Sequence, residues 1–129
     1  WTPQEAFYYA SEHCGFEPNP ERTEGTYSKY NSIDDRVDGY HYFTTWIKFG
    51  IGRATYDAAQ EIRNGHLTRE EGVALVHRFD GEFPKRYFRE FLEYVDLSEE
   101  RFWEIIDGAR SPHLWRKDGD RWVLRHRVS

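Results

Sequence analysis

The residues best suited to chemistry fall in two stretches. The first, Glu24-Gly25-Thr26-Tyr27-Ser28-Lys29-Tyr30-Asn31-Ser32, sets several hydroxyl groups beside one lysine. Hydroxyls both donate and accept, and an ammonium adds a mobile point charge, so such a loop suits a phosphate or a sugar. An ordinary polar loop is the plainer reading of the same composition. The second stretch, Lys48-Phe49-Gly50-Ile51-Gly52-Arg53, leads into a helical pattern. Glycines let backbone N–H groups turn toward an anion, and the helix dipole favours negative charge there, with Lys48 and Arg53 flanking the spot. It is not a dinucleotide fingerprint, because Thr55 stands where the third glycine would be. Arg53, Asp57 and Glu61 then follow at four-residue spacing. That row is either a binding face or a surface salt-bridge ladder, and the ladder is the simpler reading.

Other reactive side chains point to structure. The six histidines, at 13, 41, 66, 77, 113 and 126, include no pair at zinc-site spacing. The single cysteine, Cys14, lies on the apolar stripe of the first helix, where a buried and inert thiol is expected, and it rules out an internal disulfide. Glu70-Glu71 and Glu99-Glu100 sit in first turns of helices, where the dipole accounts for them.

Bulk properties narrow the class. With 129 residues the chain has room for one domain, and its 18% aromatic content promises a core of few but large side chains. The net charge of −5 argues against a general nucleic-acid binder. From Arg110 onward six basic residues stand against two acidic ones, which reads as a solvated tail or a local basic patch. No apolar run approaches the roughly 20 residues of a membrane span, and no signal peptide is visible. The chain starts at Trp1 and contains no Met, so a fragment of a longer protein is expected.

The elements that must position these residues read as five to six short helices and a small C-terminal β-hairpin, a mostly α fold. Thr2-Pro3-Gln4-Glu5 and Thr68-Arg69-Glu70-Glu71 are capping boxes, and Ser98 is a further cap. Helical spacing runs from about 35 to 49, from 53 to 64, and after Pro84, which can start a helix. Asp118-Gly119 between Leu114-Trp115 and Trp122-Val123-Leu124 signals the hairpin. Residues 66–110 read as a self-contained bundle and 111–129 as a hairpin tail. Residues 1–65 look incomplete alone, their long polar loop between 16 and 35 having no evident partner.

Taken together, Arg22 to Tyr30, Ile33-Asp34-Asp35, Asp38-Gly39, Lys48 to Asp57, Glu61-Ile62-Arg63-Asn64-Gly65, Thr68 to Glu71 and Phe79 to Pro84 resemble the N-acetyl sugar amidotransferases of bacterial surface-polysaccharide (lipopolysaccharide, O-antigen) biosynthesis. The resemblance covers nearly the whole chain. It implies a cytoplasmic enzyme about three times as long, whose N-terminal part is similar to PP-loop ATP pyrophosphatases and binds ATP with magnesium. That nucleotide loop is missing here, so the resemblance makes residues 1–129 a single helical domain from the C-terminal part, with 1–65 packing on the ATP-binding domain.

The implied chemistry converts a sugar N-acetyl group into an acetamidino group, on a nucleotide-linked acetamido sugar, with ammonia from a glutaminase partner. Lys29 and Arg53 become candidates for catalytic charge stabilisation. Glu24, Thr26, Tyr27, Ser28, Lys48 and Asp57 become candidates for substrate binding. The 129 residues alone would bind no cofactor and lack activity. Two other readings stand beside this one. One is a non-catalytic module docking the glutaminase partner or a second subunit through aromatic residues such as Trp103 and Trp115. The other is a nucleic-acid-binding tail from Arg110 to Arg127, which the net charge disfavours.

Overall fold

Local capping signals account for half of the helix starts. A computed structural model describes residues 1–129, with α1 at Pro3–His13, α2 at Asp38–Phe49, α3 at Arg53–Arg63, α4 at Arg69–Phe79, α5 at Phe88–Tyr94 and α6 at Glu99–Gly108. Thr2 and Thr68 form reciprocal capping boxes with Glu5 and Glu71, and the Ser98 hydroxyl accepts from the N–H of Arg101. Each such cap satisfies helix N–H groups that have no intrahelical acceptor. Gly50, at φ 73°, ends α2 in the left-handed region that glycine tolerates best. The antiparallel hairpin pairs β1 (Trp115–Asp118) with β2 (Arg121–Leu124) around Gly119. The fold is mostly α, six helices and one hairpin.

Two helix starts differ from the sequence reading for identifiable reasons. The Asp35 carboxylate accepts from the N–H groups of Val37 at 2.6 Å and Asp38 at 3.2 Å, so the chain turns there and α2 begins at Asp38. Pro84 starts no helix. It is buried, its carbonyl accepts from the Tyr40 hydroxyl at 2.9 Å, and the chain turns again before α5 opens at Phe88.

The core draws on both halves of the chain. Phe43 and Ile47 of α2 meet Phe102 and Ile106 of α6 and Trp115 of β1, with Phe83, Phe88 and Trp103 packed around them. Trp115 is 1% exposed, and its indole N–H donates to the carbonyl of Ile47 at 2.7 Å. It is therefore a core residue and not the docking surface the interaction-module reading assigned to it. Residues 66–110 do not close a core among themselves: α4 packs on α3, and α6 packs on α2. Gly72 allows the α3–α4 approach, since a Cβ there would stand 2.6 Å from Cδ1 of Ile62.

α1 is attached more lightly than the rest. It buries none of its residues, and its main anchor is the Phe7 ring stacked on Tyr30 at 4.5 Å, with Phe16 beyond. Cys14, expected to be buried, is exposed, because the stripe it belongs to covers only the Phe7 contact. No helix is long and apolar enough to cross a membrane.

Candidate functional site

The 24–32 loop folds onto one face of α3. Asp57, Gln60, Glu61 and Asn64 are spaced i, i+3, i+4 and i+7, so they form a single stripe on that helix. The Thr26 hydroxyl donates to Asp57 Oδ2 at 2.5 Å, and the Tyr27 hydroxyl donates to Glu61 Oε2 at 2.7 Å. Thr26 is fully buried and Ser28 nearly so. The row at 53, 57 and 61 is thus no surface ladder. Arg53 is 8% exposed and Asp57 15%, with 3.4 Å between Arg53 Nε and Asp57 Oδ1.

Arg53 is held from several sides. Its Nη1 donates to the Ser32 hydroxyl at 3.1 Å and lies 3.9 Å from Asp38, while its guanidinium covers the Tyr42 ring at 4.1 Å. Such a charge is retained in a low-dielectric setting because carboxylates and a π face replace its water. What this arrangement does most directly is fix α2, α3 and the loop together.

Between α1, the loop and the α3 stripe lies a cavity of about 270 Å³. Tyr27, Ser28, Lys29 and Asp57 of the expected site residues line it, joined by Tyr30, Glu61, Asn31, Gln60 and Asn64, and by Gln4 and Phe7 of α1. The Tyr30 hydroxyl donates to Gln4 Oε1 at 3.0 Å, tying α1 to the rim. Burial, reinforced by the Glu61 hydrogen bond, pushes the Tyr27 phenol up, and burial with Glu61 and Asp57 nearby raises Tyr30 as well. Both stay neutral donors at physiological pH. A shallower opening with Arg53, His41, Tyr42 and Tyr56 adjoins the cavity across Asp57 and Gln60.

Other expected site residues are placed elsewhere. The anion spot at Gly50-Ile51-Gly52 is filled from within the protein: the Asp80 carboxylate accepts from the N–H groups of Gly52 at 2.9 Å and Thr55 at 3.1 Å. Lys48 is exposed in the last turn of α2, its amine over the Phe49 ring. Glu24 spends both carboxylate oxygens on the backbone N–H groups of Lys85, at 2.7 Å, and Arg86, at 3.1 Å. Lys29 lines the cavity, but its amine donates to the Pro20 carbonyl at 3.1 Å.

The lining residues beyond those expected from the sequence differ in how far local pattern marks them. Glu61 was visible in the row with Asp57, whereas Gln60 and Asn64 are recognisable only once the loop is known to cover that face. Gln4 and Phe7 reach Tyr30 across more than twenty residues, and no local pattern announces that contact.

Comparison with known proteins gives a family and no close curated relative. No curated protein matches the chain. The family described as LPS biosynthesis protein WbpG-like, C-terminal domain, matches residues 24–129, which include the 24–32 loop, α3 and the Asp80 turn but leave α1 outside. With that match over most of its length, the chain belongs to the WbpG-like C-terminal domain family of LPS biosynthesis proteins.

Proposed function

We propose that this domain is the substrate-binding, domain-packing C-terminal part of a cytoplasmic, ATP-dependent amidotransferase. The enzyme converts the N-acetyl group of a nucleotide-linked acetamido sugar into an acetamidino group, with ammonia from a glutaminase partner. In the reaction the amide oxygen attacks the α-phosphorus of ATP and pyrophosphate leaves. Ammonia adds to the activated carbon and sheds one proton, and AMP departs with the former amide oxygen as the C=N bond of the amidinium forms, its nitrogen keeping two hydrogens. ATP and magnesium belong to the domain preceding this one, and what these 129 residues contribute is recognition of the sugar.

The observation that carries this reading is the cavity over α3, where the Tyr27–Glu61 pair and amide side chains meet at a loop inside the family match. Hydroxyl-rich ligands need such interleaved donors and acceptors. Arg53 and Lys48 support it less, one being matched by carboxylates and the other pointing to solvent.

The test is to incubate the full-length protein with a nucleotide-linked acetamido sugar, ATP, magnesium and ammonium. The reading expects AMP release coupled to exchange of the amide oxygen for nitrogen, seen by mass spectrometry. AMP release without that exchange, or neither, contradicts it. A second reading, docking of the glutaminase partner or a second subunit, draws on the N-terminal segment, where Trp1 before α1 is 87% exposed and Tyr8 and Tyr9 of α1 are 59% and 50% exposed. It expects Tyr8→Ser and Tyr9→Ser to abolish co-purification while ammonium-dependent turnover stays intact.

A further inference from the structure

We infer that the cavity between α1, the loop and α3 is a monosaccharide subsite that takes the hexosamine ring of the substrate and excludes its phosphates. The choice of an acetamido sugar rests on the proposed function, whereas the exclusion of phosphate rests on the cavity alone. At about 270 Å³ the space falls just below the usual range for drug-sized ligands, roughly 300 Å³ upward, and suits one ring.

The chemistry of the lining is that of a polyol site. Ionised carboxylates only accept, and the hydroxyl and acetamido N–H groups of a hexosamine donate. Glu61 uses Oε2 for the Tyr27 hydroxyl and leaves Oε1 without a protein donor. Asn31, Gln60 and Asn64 line the same space with side-chain amides that make no hydrogen bond within the protein. Each amide offers two donors and an acceptor, so hydroxyls find partners of both kinds. Tyr27, Tyr30 and Phe7 supply aromatic surface for the apolar faces of the ring.

A phosphate meets the opposite situation. Asp57 and Glu61 bring negative charge to the wall, Arg53 sits against Asp57, the Lys29 ammonium keeps its charge but is turned to the Pro20 carbonyl, and His66 is the other basic side chain in the lining. The N-terminus of α3 is already occupied by Asp80. Glu61 and Asn64 are therefore the specificity-determining residues. Gln4 and Phe7 complete the rim from outside the family match.

The test is saturation-transfer NMR on the full-length protein with free N-acetylglucosamine, N-acetylgalactosamine and N-acetylmannosamine, and with uridine diphosphate as the phosphate probe. At least one N-acetylhexosamine receives saturation, and uridine diphosphate does not displace it. Glu61→Gln keeps the size and the Tyr27 hydrogen bond, and it weakens binding at least tenfold with an unchanged circular dichroism spectrum; Asn64→Ala weakens it independently. No transfer to any of the three sugars, displacement by uridine diphosphate, or wild-type affinity in both variants overturns the inference. Sugar binding by a protein whose full-length form does not amidinate would sink the proposed function and leave the subsite standing.

Discussion

Thr55 gives Asp80 two hydrogen bonds at once, from its backbone N–H at 3.1 Å and from its hydroxyl at 2.6 Å. With the N–H of Gly52 at 2.9 Å, the carboxylate closes the start of α3 from 28 residues away. A segment that reads as an anion cradle thereby becomes a joint between α3 and the end of α4. Asp80→Ala is expected to lower stability by about 1–2 kcal/mol, in the range of a lost helix cap, with Asp80→Asn costing less. Urea denaturation of the two variants gives the comparison, and equal midpoints for Asp80→Ala and wild type would remove the cap from the account.

Arg53 and Lys48 separate in the same way. Arg53 is buried against Asp57, and truncating one member of such a pair strands the other charge, so Arg53→Ala is expected to cost about 3–5 kcal/mol. Lys48 is exposed, and Lys48→Ala is expected to stay within about 0.5 kcal/mol of wild type. Chemical denaturation ranks the two, and a marginal effect at Arg53 would show that its carboxylate contacts are weak.

Gly81 and Gly119 both adopt positive φ, 80° and 62°, yet only Gly81 is confined. A Cβ at Gly81 would stand 2.4 Å from Cζ2 of Trp46, whereas one at Gly119 meets nothing within 4 Å. Gly119→Ala is expected to cost about 1 kcal/mol for its backbone conformation. Gly81→Ala adds overpacking of about 1–3 kcal/mol to the same term. Thermal melts showing equal losses would contradict the crowding at Trp46.

Acid sensitivity should trace to Glu82. Two hydrogen bonds from the Arg22 guanidinium, at 2.6 and 2.8 Å, and one from the N–H of Gly25 hold its carboxyl below the ordinary value of 4.5. A carboxyl whose folded value is lowered stabilises the fold fully above its unfolded value and loses that contribution as pH falls below it. Stability is therefore expected to fall as pH drops below about 4.5, and more gently in Glu82→Gln, which has nothing to protonate. Parallel acid limbs for the two proteins in denaturation series would assign the effect elsewhere.

What was legible in the sequence was what neighbours decide. The Thr2–Glu5 and Thr68–Glu71 boxes, the Ser98 cap and the Asp118-Gly119 turn each act within a few residues, and they place α1, α4, α6 and the hairpin. The 24–32 loop stood out because its composition is unusual, and it does line the cavity. Long-range partners were invisible. Asp80 and Glu24 work as caps for N–H groups 28 and 61 residues away, and in doing so they convert an expected anion site and an expected ligand contact into joints of the fold. Cys14 was misplaced because an apolar stripe does not say how much of itself will be covered. The division at residue 65 likewise took no account of α2, whose Phe43 and Ile47 complete the core with α6.

The central claim is that sugar recognition resides in the cavity over α3, and steady-state kinetics of the full-length enzyme carrying Glu61→Gln test it most directly. The account predicts a KM for the nucleotide-linked acetamido sugar raised at least tenfold, with the KM for ATP unchanged. An unchanged sugar KM, or a rise confined to ATP, would contradict it.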